Sequence, residues 1–137
     1  MICIDLGSGY NPKKGYKTCD VNAYCNYYDI NEIKNNSVDV FHIRNVLHHV
    51  ENLDEFISKI YKKLKIGGKI HLIDCSEEAY SSNLYLDRLW YRWITNRKDI
   101  YISPKYRDIF SYFNNNKFKI ISNKKKNEKI ILKIIKL

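Results

Sequence analysis

Three carboxylates at or near the ends of short apolar runs, Asp5, Asp20 and Asp29, are the first candidates for chemistry in this sequence. Asp5 lies within Ile2-Cys3-Ile4-Asp5-Leu6, a run that breaks at Gly7-Ser8-Gly9. Gly7 and Gly9 allow a backbone to approach a ligand closely, because no Cβ stands in the way. A carboxylate placed as Asp20 is accepts from two neighbouring hydroxyls such as those of a ribose, and one placed as Asp29 is accepts from an exocyclic adenine amine. Taken alone, Asp20 and Asp29 also suit ordinary turns, where aspartate bonds to its own backbone.

A second group follows the run Val38 to Ile43: Arg44, Asn45 and His48. If an acceptor must lose a proton, imidazole is the side chain best matched to neutral pH, and His48 is the candidate base. His48 and His49 equally suit packing at the end of a buried strand. Further on, Trp90, Tyr91 and Trp93 alternate with Arg88, Arg92 and Arg97. That mixture fits base stacking and phosphate contact, or a helix packed by its tryptophans with a solvated arginine face. The four cysteines, Cys3, Cys19, Cys25 and Cys75, form no CxxC pair, and His42, His48, His49 and His71 show no ligand spacing. Buried free thiols and no structural metal are expected.

The elements that must position these residues read as follows. Residues 2–6, 16–21, 25–29 and 38–43 are predicted strands. Leu53, Phe56, Ile57, Ile60, Tyr61 and Leu64 form one apolar stripe at helical spacing, capped by Asn52 and ended by Lys62, Lys63 and Lys65 ahead of a Gly67-Gly68 stop. A fifth strand starts at Lys69, and a second helix covers 84–94. A third helix starts after Ser103-Pro104 and runs through Phe113. Residues 118–122 and 130–135 close the chain as strands, joined by a polar loop over 124–127. Strands separated by helices require right-handed crossovers and parallel pairing, whereas the short last connection joins antiparallel neighbours. The expected fold is α/β: one domain over 1–137, Rossmann-like, with a mostly parallel sheet and an antiparallel C-terminal hairpin strand.

Pyrophosphate wants a helix N-terminus, yet the seven residues between Gly9 and Lys17 include Pro12 and Gly15, and the third glycine of GxGxxG is missing. A dinucleotide is therefore disfavoured. Ile4-Asp5-Leu6-Gly7-Ser8-Gly9 resembles the first motif of class I methyltransferases, and Asp20 and Asp29 match the acidic ends of the next two strands. Ser37 to Phe41, Asn45 to Val50 and Leu64 to Ile70 are similar to the corresponding stretches of the type 11 group. The Tyr10 to Tyr16 segment, which replaces a helix, is similar to a short-loop subgroup of predicted methyltransferases. The resemblance implies S-adenosylmethionine as cofactor, held by Asp5, Gly7, Gly9, Asp20 and Asp29, with Arg44, Asn45 and His48 nearest the transferred methyl. No Asp-Pro-Pro-aromatic or Pro-Cys motif points to the common DNA methyltransferases.

Charge is uneven: 10 basic residues face 11 acidic ones through position 83, and 14 face 4 beyond it, for a net +9. A basic half raises the local concentration of anionic partners. The expected acceptor is a small-molecule or lipid-linked anion, because no separate recognition module is present, with RNA as the alternative; a further alternative is an inactive partner module. No apolar run has the roughly 20 residues of a membrane span, so a cytoplasmic protein is expected.

Overall fold

The computed structural model of the chain describes residues 1–7, 12–19, 29–76, 107–127 and 129–137. The strands are β1 (Cys3–Leu6), β2 (Lys17–Cys19), β3 (Val38–Arg44), β4 (Leu64–Cys75), β5 (Phe118–Lys126) and β6 (Lys129–Lys136), and the helices α1 (Leu53–Lys63) and α2 (Ile109–Phe113). They build one 6-stranded sheet in the order β2-β1-β3-β4-β6-β5. The strands from β2 to β4 are parallel, and β6 runs antiparallel to both β4 and β5. This is the α/β sheet, mostly parallel with a C-terminal antiparallel hairpin, that the alternation of apolar runs predicts.

Period two divides each strand between two faces. On one face Ile4, Phe41, Ile43, Ile70, Leu72 and Leu132 are fully buried, and Ile57 and Ile60 of α1 and Phe113 of α2 pack with them in the same core. Each such side chain contributes about 1.5–3 kcal/mol when withdrawn from water. The ring of Phe118 joins the helices to the sheet edge, meeting Tyr61 and Phe113 edge-on at 5.4 Å each. The opposite face mixes polar residues with a few aliphatic ones such as Ile73, Ile131 and Ile135. One row in register crosses the whole sheet through Thr18, Asp5, His42, His71, Lys133 and Ser122.

Helix α1 begins as its residues dictate: Asn52 Oδ1 accepts the Glu55 N–H at 3.1 Å, and Asp54 and Glu55 sit at the positive end of the dipole. Its end differs from the expected glycine stop. Leu64 turns extended and starts β4, so Gly67 and Gly68 lie within that strand. Leu64 pairs with Val38 and Lys69 with Val40, which forces residues 65–68 into a bulge. Gly67, at φ +74°, supplies the left-handed bend that this bulge needs.

The other differences are at connections. The expected loop over 124–127 shrinks, because Lys124, Lys125 and Lys126 pair with Ile131, Ile130 and Lys129. Asn127 at φ +56° makes the tight turn, a conformation whose twist matches the flanking strands. Helix α2 spans Ile109–Phe113, with Arg107 and Asp108 ahead of it outside the helix, and Arg107 is drawn to another loop. The second strand is described over Lys17–Cys19. The predicted strand at 25–29 lies outside the described residues except for Asp29, which caps the turn Ile30–Glu32, and the helix at 84–94 and the start proposed for the third helix lie outside them as well. Cys19 is buried and Cys3 half-buried, both as free thiols.

Candidate functional site at the strand-order reversal

The chain passes from β1 outward to β2, then returns to place β3 on the other side of β1, so strand order reverses between β1 and β3. Ligands of open α/β sheets bind in the crevice outside the carboxyl ends of the strands at such a point. Gly7 follows β1 there. Its N–H donates to the Cys19 carbonyl at 2.7 Å, and its φ of +71° is a conformation that favours glycine. A Cβ on Gly7 would stand 2.3 Å from Val46 Cγ2, so the loops leaving β1 and β3 touch with no room for a side chain between them.

Asp5 is almost fully buried, and one carboxylate oxygen accepts the Lys13 N–H at 2.7 Å. This ties down the chain that returns from the glycine loop. That return is a tight turn closed by Tyr16 N–H to the Lys13 carbonyl at 3.2 Å, with Gly15 at φ +84°. Beside Asp5 in register stands His42, whose Nδ1 is buried without a hydrogen-bond partner. Burial pushes the His42 pKa down, more than the neighbouring Asp5 charge pushes it up. The Tyr16 ring covers His42 edge-on at 6.1 Å, and burial together with nearby Cys3 and Asp5 raises the phenol's pKa.

On the other side of the reversal, Arg44 is the exposed last residue of β3. Asn45 follows in the left-handed region at φ +56°, its N–H donating to the Ile73 carbonyl at 2.8 Å. Its side-chain Oδ1 is buried and unbonded. An acceptor withdrawn from water without a donor costs free energy, so a buried orphan at a crevice mouth fits a ligand that brings one. The backbone of His48 belongs to a single 3-10 turn, Leu47–His49. Two charged residues far away in sequence hold this turn. Asp74, fully buried at the end of β4, accepts the Leu47 N–H at 2.9 Å. The Arg107 guanidinium donates to the carbonyls of Leu47, Val50 and Glu51. Outside the loop an open groove of about 570 Å³ is lined by Glu51, Asn52, Leu53, Asp54, Arg107 and Tyr112.

The structure thus brings Asp5, Gly7, Asn45 and the His48 turn to one end of the sheet. Asp29 is exposed and spends one oxygen on its own neighbourhood, accepting the Asn31 N–H at 2.8 Å to cap the turn Ile30–Glu32. Gly9 and Asp20 lie outside the described residues. Sequence reasoning passed over His42, Asp74 and Arg107. The position of Asp74 at a strand's carboxyl end was the available signal for that residue; the pairing of His42 with Asp5 depends on register, which a single strand does not display.

A Rossmann-like sheet with a glycine turn and a buried acid at the reversal defines the class I methyltransferase fold. A sequence model of the family described as methyltransferase domain matches residues 5–72, a likeness consistent with a class I, type 11-like methyltransferase. Solved structures agree in fold. A Sulfolobus solfataricus protein assigned to the type 11 methyltransferases superposes with a TM-score of 0.68 at 18% identity, covering 98% of this chain and 83% of that one. An S-adenosylmethionine dependent methyltransferase from Mesorhizobium loti gives 0.69 at 10% identity over 98% and 90%. The Haloferax volcanii methyltransferase seen in complex with the Trm112 activator gives 0.67 at 10% identity over 98% and 81%. No curated protein matches the chain by sequence. S-adenosylmethionine is the cofactor that this family implies, and the residues present fit it: the buried carboxylate of Asp5 suits its ammonium, and the Gly7 turn gives close backbone approach. Among the described residues no helix is long and apolar enough to cross a membrane, and no group of His, Cys, Asp and Glu is arranged for a metal.

Proposed function

We propose that the chain transfers the methyl group of S-adenosylmethionine to an anionic acceptor in the cytoplasm. The observation that carries this is the interlock of Gly7 with Val46, which joins the two loops at the strand-order reversal and leaves the Asn45 Oδ1 buried and unbonded beside it. In this reading Asp5, Gly7, Gly9, Asp20 and Asp29 hold the cofactor. Bound there, it supplies an electrophilic methyl on a sulfonium. Arg44, Asn45 and His48 lie on the acceptor side, Arg44 to meet negative charge and His48 to take a proton from a hydroxyl or protonated amine. Catalysis is mainly placement, because two reactants held in line no longer have to find each other.

The acceptor class follows from how positive charge is laid out. A small or lipid-linked anion would be held by cations gathered at one pocket. Six lysines of β4, β5 and β6 are instead strung along one sheet face, which supports the RNA alternative.

Thermal shift tests the cofactor assignment, since a ligand specific for the folded state raises its stability. S-adenosylhomocysteine should raise the melting temperature and NAD should not. Stabilisation by NAD without any by S-adenosylhomocysteine would remove the methyltransferase assignment.

A further inference from the structure

Six lysines of the last three strands share one face of the sheet. Register places Lys69 of β4, Lys129 and Lys133 of β6, and Lys119, Lys124 and Lys126 of β5 on the sheet face that carries His71, opposite the core. All are exposed except Lys129, which is half-buried. Between them stand the half-buried Ile73, Ile131 and Ile135, and among the described residues these three strands place no carboxylate on this face. Among the described residues no ion pair neutralises any of these lysines. Lys126 even faces Lys129 directly across the β5–β6 ladder, a like-charge pair that costs stability in the free protein.

We propose that this face is a docking surface for the phosphodiester backbone of single-stranded RNA. Lysines two apart on a strand stand about 6.7 Å from each other and neighbouring strands lie about 4.8 Å apart, so the face is a grid of cations rather than a pocket. A grid of this kind reads phosphate and no base sequence. Lys129 pairs with Cys75 at the carboxyl end of β4, the same end as the Gly7 turn, and Lys126 and Lys124 follow beyond it on β5. From them the face continues past Ile73 to the exposed Arg44 and so to Asn45. A chain lying on the lysines therefore reaches the methyl-transfer site.

The face fits a flexible polymer better than a lipid bilayer. Neighbouring strands rotate by about 20–25°, so three strands present a twisted surface that a strand of RNA can follow and a flat membrane cannot. Its apolar residues are isoleucines lying low between lysine stems, not protruding groups suited to insertion.

The proposal rests on the methyltransferase reading only for the purpose of the bound RNA; binding itself stands on other residues and is measured without cofactor. The experiment is a fluorescence-anisotropy titration of a mixed-sequence 20-nucleotide RNA across a salt series. Wild type is compared with Lys124→Glu/Lys133→Glu and with Lys34→Glu/Lys62→Glu, which changes net charge equally using exposed lysines away from this face. Circular dichroism confirms that each variant is folded. The log–log salt slope is about −0.7 per phosphate contact on a single strand, so wild type should show about −2 to −4 and the first variant a slope shallower by about 1.4. At moderate salt the first variant should lose at least about tenfold in affinity while the second stays within about twofold of wild type. DNA of the same length should bind comparably, because only phosphates are read. Equal losses in both variants, no binding at low salt, or binding to phosphatidylserine vesicles but not to RNA would each overturn the proposal. S-adenosylhomocysteine binding that persists alongside any of those results would leave the methyltransferase reading standing.

Discussion

The ammonium of Lys136 lies 4.1 Å above the ring of Tyr61 while donating at 2.7 Å to the carbonyl of that same residue. A second bond of 2.7 Å goes to the Leu64 carbonyl. One residue from the end of this sequence, Lys136 thus caps helix α1, where cations suit the negative end of the dipole. Lys136→Met should lower unfolding free energy by about 1–3 kcal/mol, because buried carbonyls lose their donor. Urea denaturation measures this, and an unchanged midpoint would show that the cap carries no stability.

Acid should weaken the fold in a defined window. Burial is the largest cause lowering the pKa of both His42 and His71, with Lys133, Lys13 and Lys69 lowering His71 further. The unfolded chain therefore takes up protons first as pH falls from about 6.5, so stability present above that pH is lost until the folded values are passed. Each histidine contributes a slope of at most about 1.4 kcal/mol per pH unit. Denaturation at a series of pH values should show the decline, and His42→Gln/His71→Gln should flatten it.

Gly7→Ala meets two obstacles: a Cβ 2.3 Å from Val46 Cγ2 and a φ of +71°. The backbone part alone costs about 1–2 kcal/mol, and the overlap adds to it. Val46→Ala in the same chain should recover the overlap but not the backbone part. A double-mutant cycle by denaturation, with S-adenosylhomocysteine calorimetry on the folded variants, separates the two; strict additivity would deny the contact.

Asp74 and Arg107 should act on the turn that carries His48. Asp74→Ala leaves the Leu47 N–H buried without its acceptor, costing about 1–3 kcal/mol, whereas Asp74→Asn keeps an oxygen there and should cost less. Hydrogen exchange should show faster opening at Leu47 to Val50 in Asp74→Ala and in Arg107→Met. Unchanged exchange in both would mean that the turn is held by packing alone.

Asp20→Ala should raise the dissociation constant for S-adenosylhomocysteine by about tenfold or more, since hydrogen bonds to a charged partner are worth about 1.5–3 kcal/mol each. Calorimetry on the folded variant checks it, and an unaltered affinity would take Asp20 out of the cofactor site.

Local chemistry made much of this architecture legible. The apolar stripe of α1 and its Asn52 cap are visible within a dozen residues, and the Asp5 run with Gly7 reads directly as a buried strand entering a tight turn. What stayed hidden depends on partners. Gly67 and Gly68 look like a helix stop until the pairing of Val38 with Leu64 places them in a bulge. Lys124 to Lys126 look like a loop because lysine is a poor strand former, yet Asn127 turns tightly enough to pair all three. Lys13 offers only a backbone N–H to Asp5, a contact that no residue type announces.

The close fit of residue 7 against residue 46 also bears on how such a chain can change over generations. Each position sets the space open to the other, although they leave different strands and are far apart in sequence. A larger residue at 46 cannot be absorbed by trimming residue 7, which already has no side chain, so variation at this spot can run only toward smaller groups at 46. In homologues that keep the same turn, the pair should drift as one character, with 7 fixed and 46 bounded from above in volume.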